Sequence, residues 1–520
     1  MILMLSAAAA KVLGAFFKIP LTNILGGIGM GYFSAAYSLF MPVYALAVTG
    51  ISSAVARMTA QCTALGMYGD VCRIRRVGHL IFSAVGLVGS IVILLLAGGF
   101  SRFSEDSPEA TAAVAAIAPA VVFSCITAVE RGHYEGLCNM YPTALSQVAE
   151  GIVKVAAGLW LCNFTVSNPE LMHRYFPNTD IRALSAAAGI LGVTLSSLGA
   201  VLFFALLRLF LRTDEGRSEA VMSRRHTASE LLRTAAPIGV GAVVTDLAAL
   251  IDMWSVLYLV PIASELPVGV AAEDYPRFVY GSFAGIGLTV FGLVPSVTNM
   301  LGKSALTCAA SAWESNDRAK LESHTSQVML TAAFISVPSA FGIAALAPQL
   351  LLSLFPNQSD EAMLCVTPLR LLMPGMVFVC MAYPLFSMLQ GVGKAALTLK
   401  IMLAGTAVKL VGNVLLVPTV GISGAAVSTT VSYLVILLLS AAAYRRITGV
   451  RGELRPLIGV LYSGIMCGGA AVLVSGMTEV PLKSLIYGTA VGGGVYIFAV
   501  YTVLGRKVFG RHRESAPTQL

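Results

Sequence analysis

Residues 11–57 read KVLGAFFKIPLTNILGGIGMGYFSAAYSLFMPVYALAVTGISSAVAR and carry three charged side chains, Lys11, Lys18 and Arg57. The whole chain of 520 residues has the same character, with 57% hydrophobic and 12% charged residues and a mean hydropathy of +0.82. Soluble domains carry about 25% charged residues, and disordered chains are highly charged and poor in apolar residues. Both classes are excluded, and the composition indicates a polytopic membrane protein.

Apolar runs long enough to cross a bilayer recur along the chain. A crossing helix needs about 20 mostly apolar residues, and about fourteen such runs can be counted. They are centred near Leu13, Leu46, Val88, Ile117, Ile152, Leu195, Val244, Leu288, Phe334, Phe378, Ala407, Val431, Met466 and Gly493. The alternation typical of membrane β-strands is absent, so the sequence predicts an all-α membrane protein. The opening residues lack the positive charge of a signal peptide and are interpreted as the first span.

Basic residues alternate between the connections in a way that predicts the topology. With the N-terminus inside, most of the 34 Lys and Arg residues fall on the inner side, and the outer connections carry acidic pairs such as Glu105-Asp106 and Asp360-Glu361. This positive-inside pattern predicts both termini in the cytoplasm. It also attributes the net charge of +8 to topology and contact with anionic lipids rather than to nucleic acid.

An internal similarity suggests duplicated halves. The stretch VKVAAGLW at residues 153–160 aligns with VKLVGNVL at residues 408–415, and a lysine occupies the same place in both. Chance similarity between two apolar helices is the alternative. Duplication would give lobes at residues 1–212 and 233–447, a cytoplasmic linker at 213–232, two added spans within 448–505 and a basic tail at 506–520. Duplicated halves around a central site are typical of transporters.

Charged side chains at membrane depth are the candidate functional residues, because each costs at least about 2.5 kcal/mol in an insertion assay. Five are basic and three are acidic: Lys11, Lys18, Lys154, Arg370 and Lys409, and Glu150, Asp246 and Asp252. The basic excess favours an anionic substrate, while the three acidic groups are candidates for coupling Na⁺ or H⁺. Purely structural roles stay open as alternatives for some of these residues. Glu150 and Lys154 are spaced to form an ion pair, Lys11 can reach the inner interface, and Arg370 could pair with Asp252.

The sequence lacks the motifs of nucleotide hydrolysis, of metal binding by cysteines and of thiol redox chemistry. The segment Gly302-Lys303-Ser304 has Val297 where a P-loop needs its first glycine, and no segment is long enough for an ATPase domain. The nine cysteines have neither metal-ligand nor CxxC spacing. We therefore expect no enzyme activity and no cofactor, with an ion gradient or the membrane potential as the energy source.

Several stretches resemble one transporter family. Residues 11–57, YGSFAGIGLTVFGLVPSVTN (280–299), PLRLLMPGMVF (368–378) and LQGVGKAALTLKIMLAGTAVKLVGNVLLVPTVGISGAAVSTTVSYL (389–434) are similar to stage V sporulation protein B-like transporters. These belong to the multidrug/oligosaccharidyl-lipid/polysaccharide exporter superfamily, which includes MurJ-type lipid II flippases and MATE transporters. The resemblance implies a V-shaped bundle of fourteen helices in two lobes that flips lipid-linked saccharides across the bacterial plasma membrane. It also implies basic substrate-binding residues at Lys11, Lys18, Arg57 and Arg370.

Three functions are compared on these residues. The first is a monomeric flippase for an undecaprenyl-pyrophosphate-linked saccharide of cell-wall synthesis, in which Lys11, Lys18, Arg57, Lys154, Arg370 and Lys409 bind substrate. The second is a cation-coupled multidrug exporter that uses Asp246 and Asp252. The third, a membrane scaffold, would need neither charges at depth nor a duplicated half. The basic excess favours the first.

Overall fold

The computed structural model describes residues 2–103, 110–177, 179–210, 222–262, 267, 270–450, 454–478 and 480–508, and no β-strand occurs in these ranges. The α-helices are α1 Ile2–Tyr44, α2 Gly50–Ala64, α3 Tyr68–Phe103, α4 Ala110–Gly136, α5 Tyr141–Ser167, α6 Pro169–Tyr175, α7 Ile181–Phe210, α8 Arg224–Leu259, α9 Tyr275–Ser282, α10 Leu288–Glu314, α11 Arg318–Ala345, α12 Ala347–Leu354, α13 Ser359–Gly391, α14 Ala395–Val420, α15 Ile422–Thr448, α16 Leu454–Ser475 and α17 Pro481–Val508. The prediction of an all-α membrane protein is confirmed.

Thirteen helical segments among the described residues are long and apolar enough to cross a membrane. The first, Leu13–Ala64, has 52 residues, which is about twice the length of one crossing. It contains both runs predicted around Leu13 and Leu46. Gly26 interrupts it with φ 66° and ψ −177°, a conformation open to glycine but costly for other residues. The thirteen segments therefore provide length for the predicted fourteen crossings.

Contacts within the chain define two compact units, and the first comprises Met1–Tyr258 and Ile262–Gly285. In it α1 packs on α5, α7 and α9, while α4 packs on α2, α3 and α7. The predicted linker 213–232 is described only from residue 222, and α8 begins at Arg224. Most of α8 belongs to this first unit, whereas the sequence assigned it to the second lobe. The predicted tail 506–520 is described only as far as residue 508, and the predicted lobes stay predictions.

The second unit comprises Leu259–Pro261 and Ile286–Leu520. Its helix α13 packs on α10, α11 and α15, and α16 packs on α11 and α17. One buried cluster joins Leu385 and Leu389 of α13 with Ile401 of α14 and Ile436 of α15. Small residues line the contacts in this core as well, including Ala305, Ala309 and Ala312 of α10. This composition allows helices to approach closely in a membrane.

The two stretches of internal similarity have the same local packing, each within its own unit. Helix α5 packs on α7 with Gly158 against Gly192, and α14 packs on α15 with Gly412 against Ser428. A side chain at Gly158 or Gly412 would collide with its neighbours. Each stretch therefore makes a close contact with the next long helix, although Gly158 and Gly412 are not at matching positions of the two stretches.

Two π-helical turns, which are wider than α-helical turns, lie between consecutive helices. One is within the first unit and the other is at its boundary. The first, Ala45–Thr49, joins α1 to α2, and the second, Phe283–Gly287, joins α9 to α10. Such turns leave backbone carbonyls outside the regular α-helical pattern and often mark functional sites. The boundary between the two compact units falls inside the second turn, after Gly285.

Candidate functional site

The strongest candidate site lies in the first unit, where α1 packs on α5 and also contacts the π-helical turn after α9. The Lys18 ammonium of α1 donates a hydrogen bond to the Ala284 carbonyl oxygen, with an Nζ–O distance of 2.8 Å. Lys18 is half-buried. Among the described residues it pairs with no carboxylate, and its hydrogen-bond acceptor is a backbone carbonyl.

Lys154 of α5 lies beside Lys18, close enough for the two charges to interact. Its Nζ is 5.1 Å from the centre of the Phe17 ring and 5.6 Å from the centre of the Tyr37 ring. Both distances are within the range of a cation–π interaction. Lys154 is half-buried, and no carboxylate contacts its ammonium in the part of the chain that the structure describes.

The sequence of α5 explains why Lys154 faces α1. Gly151, Lys154 and Gly158 follow each other at helical spacing and so share one face of α5. A side chain at Gly151 would collide with Leu13, and one at Gly158 would collide with Phe17. The two glycines therefore let α1 approach, and the lysine between them lies over the aromatic rings of α1.

Glu150 does not pair with Lys154, although their spacing of four residues allows an ion pair. The Glu150 carboxylate instead accepts a hydrogen bond from the Arg131 guanidinium of α4, with an Nη2–Oε2 distance of 2.7 Å. Arg131 also donates from Nε to the Ser146 hydroxyl at 3.0 Å. Arg131 is a stronger partner for Glu150 than Lys154 would be, because the fork geometry of a guanidinium lets it donate to the carboxylate and to the Ser146 hydroxyl at once.

Four other residues predicted from the sequence belong to the first unit: Lys11, Arg57, Asp246 and Asp252. Lys11 lies in α1, but its side chain is outside the described part. Arg57 of α2 is exposed, and Asp246 of α8 is half-buried. Neither forms an ion pair with the residues described. Asp252 is only 2% exposed and lies near Tyr280, whose hydroxyl is hydrogen-bonded to that of Ser38 at 2.9 Å.

Two predicted basic residues belong to the second unit. Arg370 of α13 is exposed and donates from Nε to the Ala344 carbonyl oxygen at 3.1 Å. Lys409 of α14 is 5% exposed. One turn later Asn413 is completely buried and accepts a hydrogen bond from Ser428. Arg370 is thus accessible, whereas Lys409 is enclosed in its helix pair.

Two charged clusters lie outside the residues predicted from the sequence. Arg277 of α9 donates to Asp274 at 2.8 Å and to the Tyr32 hydroxyl at 3.0 Å, and its guanidinium also stacks over the Tyr32 ring. These charged residues lie next to an apolar run, where the topology predicts an outer connection. The signal in the sequence is Asp274 three residues before Arg277, a spacing that suits an ion pair on a helix.

The second cluster is centred on Glu130 of α4. Its carboxylate accepts hydrogen bonds from Arg75 at 2.7 and 3.2 Å and from His79 at 2.7 Å. Arg75 is 4% and Glu130 6% exposed. The adjacent charges Glu130-Arg131 inside an apolar segment were the signal for this cluster. No group of His, Cys, Asp and Glu suited to a metal ion occurs among the described residues.

Comparison with known proteins gives the family. Residues 1–272 match the polysaccharide biosynthesis protein family, and residues 282–415 match the MatE family. Three Bacillus subtilis (strain 168) proteins are similar. The uncharacterized membrane protein YabM is 24% identical over 96% of this chain and 91% of its own length, and the lipid II flippase MurJ is 23% identical over 99% of this chain and 97% of its own length. Stage V sporulation protein B is 21% identical over 90% of this chain and 87% of its own length.

A solved structure supports the fold. The inward closed conformation of a lipid II flippase MurJ matches with a TM-score of 0.70 and 13% identity, over 97% of this chain and 99% of that one. The similarity expected from residues 11–57 and the other quoted stretches is therefore confirmed. The chain is a multi-pass membrane protein that belongs to the polysaccharide biosynthesis protein family, within the multidrug/oligosaccharidyl-lipid/polysaccharide exporter superfamily.

Proposed function

We propose that this protein is a flippase for an undecaprenyl-pyrophosphate-linked saccharide, such as lipid II or a related cell-wall precursor. The observation that carries the proposal is the pair Lys18 and Lys154, two neighbouring ammonium groups at span depth with no carboxylate partner among the described residues. Two like charges at this depth repel each other and are costly. An anion between them would compensate both charges.

A pyrophosphate head group fits this requirement better than a neutral sugar does. It carries negative charges on two neighbouring phosphates, which suit two neighbouring ammonium groups. Arg370, in the second unit, carries an accessible guanidinium, a group suited to phosphate, and Lys11, Arg57 and Lys409 stay candidates for substrate contacts. The relatives named lipid II flippase support this substrate class.

The transport cycle would use alternating access without chemistry on the substrate, so the protein would be a transporter and not an enzyme. Asp246 and Asp252 stay the acidic candidates for coupling to Na⁺ or H⁺, and the membrane potential could act on the basic site directly. Glu150 is less suited to ion coupling because Arg131 holds its carboxylate. We expect a monomer in the bacterial plasma membrane with both termini in the cytoplasm, and anionic lipids around its basic inner connections.

A flipping assay tests the proposal. The purified protein is reconstituted in liposomes, and the transfer of fluorescent lipid II to the outer leaflet is followed with a membrane-impermeant quencher. Lys18→Gln and Lys154→Gln should each slow transfer about tenfold or more, as expected for losing one charged contact. Lys320→Gln, which changes an exposed lysine of α11, should leave the rate unchanged. Full activity of both site variants would overturn the proposal.

The second candidate function is a cation-coupled multidrug exporter. The match of residues 282–415 to the MatE family and the buried carboxylate of Asp252 favour it. If it is correct, Asp252→Asn should abolish drug resistance in cells that express the protein, and Lys18→Gln should not affect it. The opposite pattern, with lipid II transfer lost in Lys18→Gln, favours the flippase.

A further inference from the structure

Arg131 of α4 binds a carboxylate that is also within reach of Lys154. Glu150 and Lys154 are four residues apart on α5, so their side chains lie within reach of each other. In the structure, the Glu150 carboxylate accepts a hydrogen bond from Arg131 at 2.7 Å instead. Lys154 is left over the rings of Phe17 and Tyr37.

The surroundings of Glu150 offer two choices of cation. Arg131 reaches it from α4, Lys154 is available on its own helix, and Tyr44 of α1 lies near both Glu150 and Arg131. Arg131 is anchored a second time by the Ser146 hydroxyl at 3.0 Å. This second anchor holds the guanidinium on the carboxylate, so Glu150 is not free to turn towards Lys154.

The two rings provide Lys154 with a different kind of partner. A cation over aromatic faces gains about 0.5 to 2 kcal/mol while keeping its full charge. A carboxylate would instead cancel the charge that an anionic substrate needs. Lys154 is therefore stabilised and still able to bind an anion.

We propose that Arg131 is a positioning residue for substrate binding: by holding Glu150, it keeps the Lys154 ammonium available for the diphosphate of the lipid-linked substrate. This inference rests on the proposed function for the identity of the anion. Its core, the competition of Arg131 and Lys154 for Glu150, concerns the protein alone.

Binding of undecaprenyl pyrophosphate to the purified full-length protein tests the proposal, with undecaprenol as the uncharged control lipid. Arg131→Gln should weaken binding of the pyrophosphate lipid roughly tenfold, because Glu150 then pairs with Lys154. Arg131→Gln combined with Glu150→Gln should restore the affinity, since no carboxylate remains to capture the lysine. Arg131→Lys should retain it. A purely structural role for the ion pair predicts the opposite for the double variant, because that variant lacks the pair as well.

A measurement without ligand separates this proposal from the proposed function. A brief pulse of acetic anhydride, followed by mass spectrometry, reports the reactivity of the Lys154 amine. Arg131→Gln should slow acetylation of Lys154 roughly threefold, since a carboxylate bound to the amine shields it from the reagent, and the double variant should recover the original rate. Unchanged acetylation in Arg131→Gln, or a double variant as slow as the single one, overturns the role of Arg131. Failure of the pyrophosphate lipid to bind the unaltered protein, with the acetylation pattern intact, contradicts the proposed substrate alone.

Discussion

The ammonium of Lys18 and the carbonyl oxygen of Ala284 are 2.8 Å apart, although 266 residues separate them in the sequence. The acceptor belongs to the π-helical turn Phe283–Gly287. A basic side chain of the first long helix thus stabilises an irregular turn in a distant span. This contact joins the proposed substrate site to a segment where the backbone departs from regular helix.

Removing the Lys18 ammonium should loosen the turn that it contacts. In Lys18→Met, amide hydrogen exchange in residues 283–287 should become roughly fivefold faster, the effect of losing one hydrogen bond on a local opening. Exchange followed by mass spectrometry measures this. Lys154→Met is the matched control and should leave exchange in the turn unchanged, because Lys154 contacts the rings of α1. Equal exchange in both variants would show that the Lys18 contact does not stabilise the turn.

The contact between α1 and α9 should not tolerate a side chain at Gly281. A Cβ there would overlap the backbone of Gly27, and a displaced helix costs packing energy throughout the contact. Gly281→Ala should therefore lower the thermal unfolding temperature in detergent. Gly292→Ala is the control, because a Cβ at Gly292 of α10 would meet open space, and alanine stabilises a helix relative to glycine by about 0.5 to 1 kcal/mol. Similar melting of the two variants would contradict the packing described.

The cluster around Glu130 should contribute strongly to stability. Glu130→Gln removes the charge that compensates the buried Arg75 guanidinium, and breaking such a buried pair costs about 3 to 5 kcal/mol. Chemical unfolding in detergent, followed by circular dichroism, provides the comparison. Glu170→Gln in the exposed helix α6 should change stability by less than about 0.5 kcal/mol. A loss at Glu130 no greater than the loss at Glu170 would mean that the cluster is not a stabilising ion pair.

The predicted topology places the turn between α4 and α5 on the cytoplasmic side. Cys138 in this turn is exposed, so a membrane-impermeant maleimide should modify it only after the membrane has been opened. Mass spectrometry of cells labelled before and after opening gives the answer. Glu170→Cys in α6, on the predicted outer side, should react in intact cells. Labelling of Cys138 in intact cells would reverse the assigned orientation.

Composition and the length of the apolar runs are enough to predict the helical membrane class, because they leave few alternatives in a bilayer. The sequence also pointed to the charged residues at depth, since their insertion cost marks them whatever the fold. The quoted stretches around Lys11, Lys18 and Arg370 predicted the family.

The partner of each charged side chain becomes visible only in the folded chain. The spacing of Glu150 and Lys154 predicted that they are neighbours, and they are, but Arg131 from another helix takes the carboxylate. Helical periodicity determines which side chains share a face, whereas the partner across an interface depends on how closely two helices pack. In this protein, Gly151 and Gly158 let α1 pack closely over Lys154. The carbonyl oxygen that accepts a hydrogen bond from Lys18 belongs to a turn 266 residues away in the sequence.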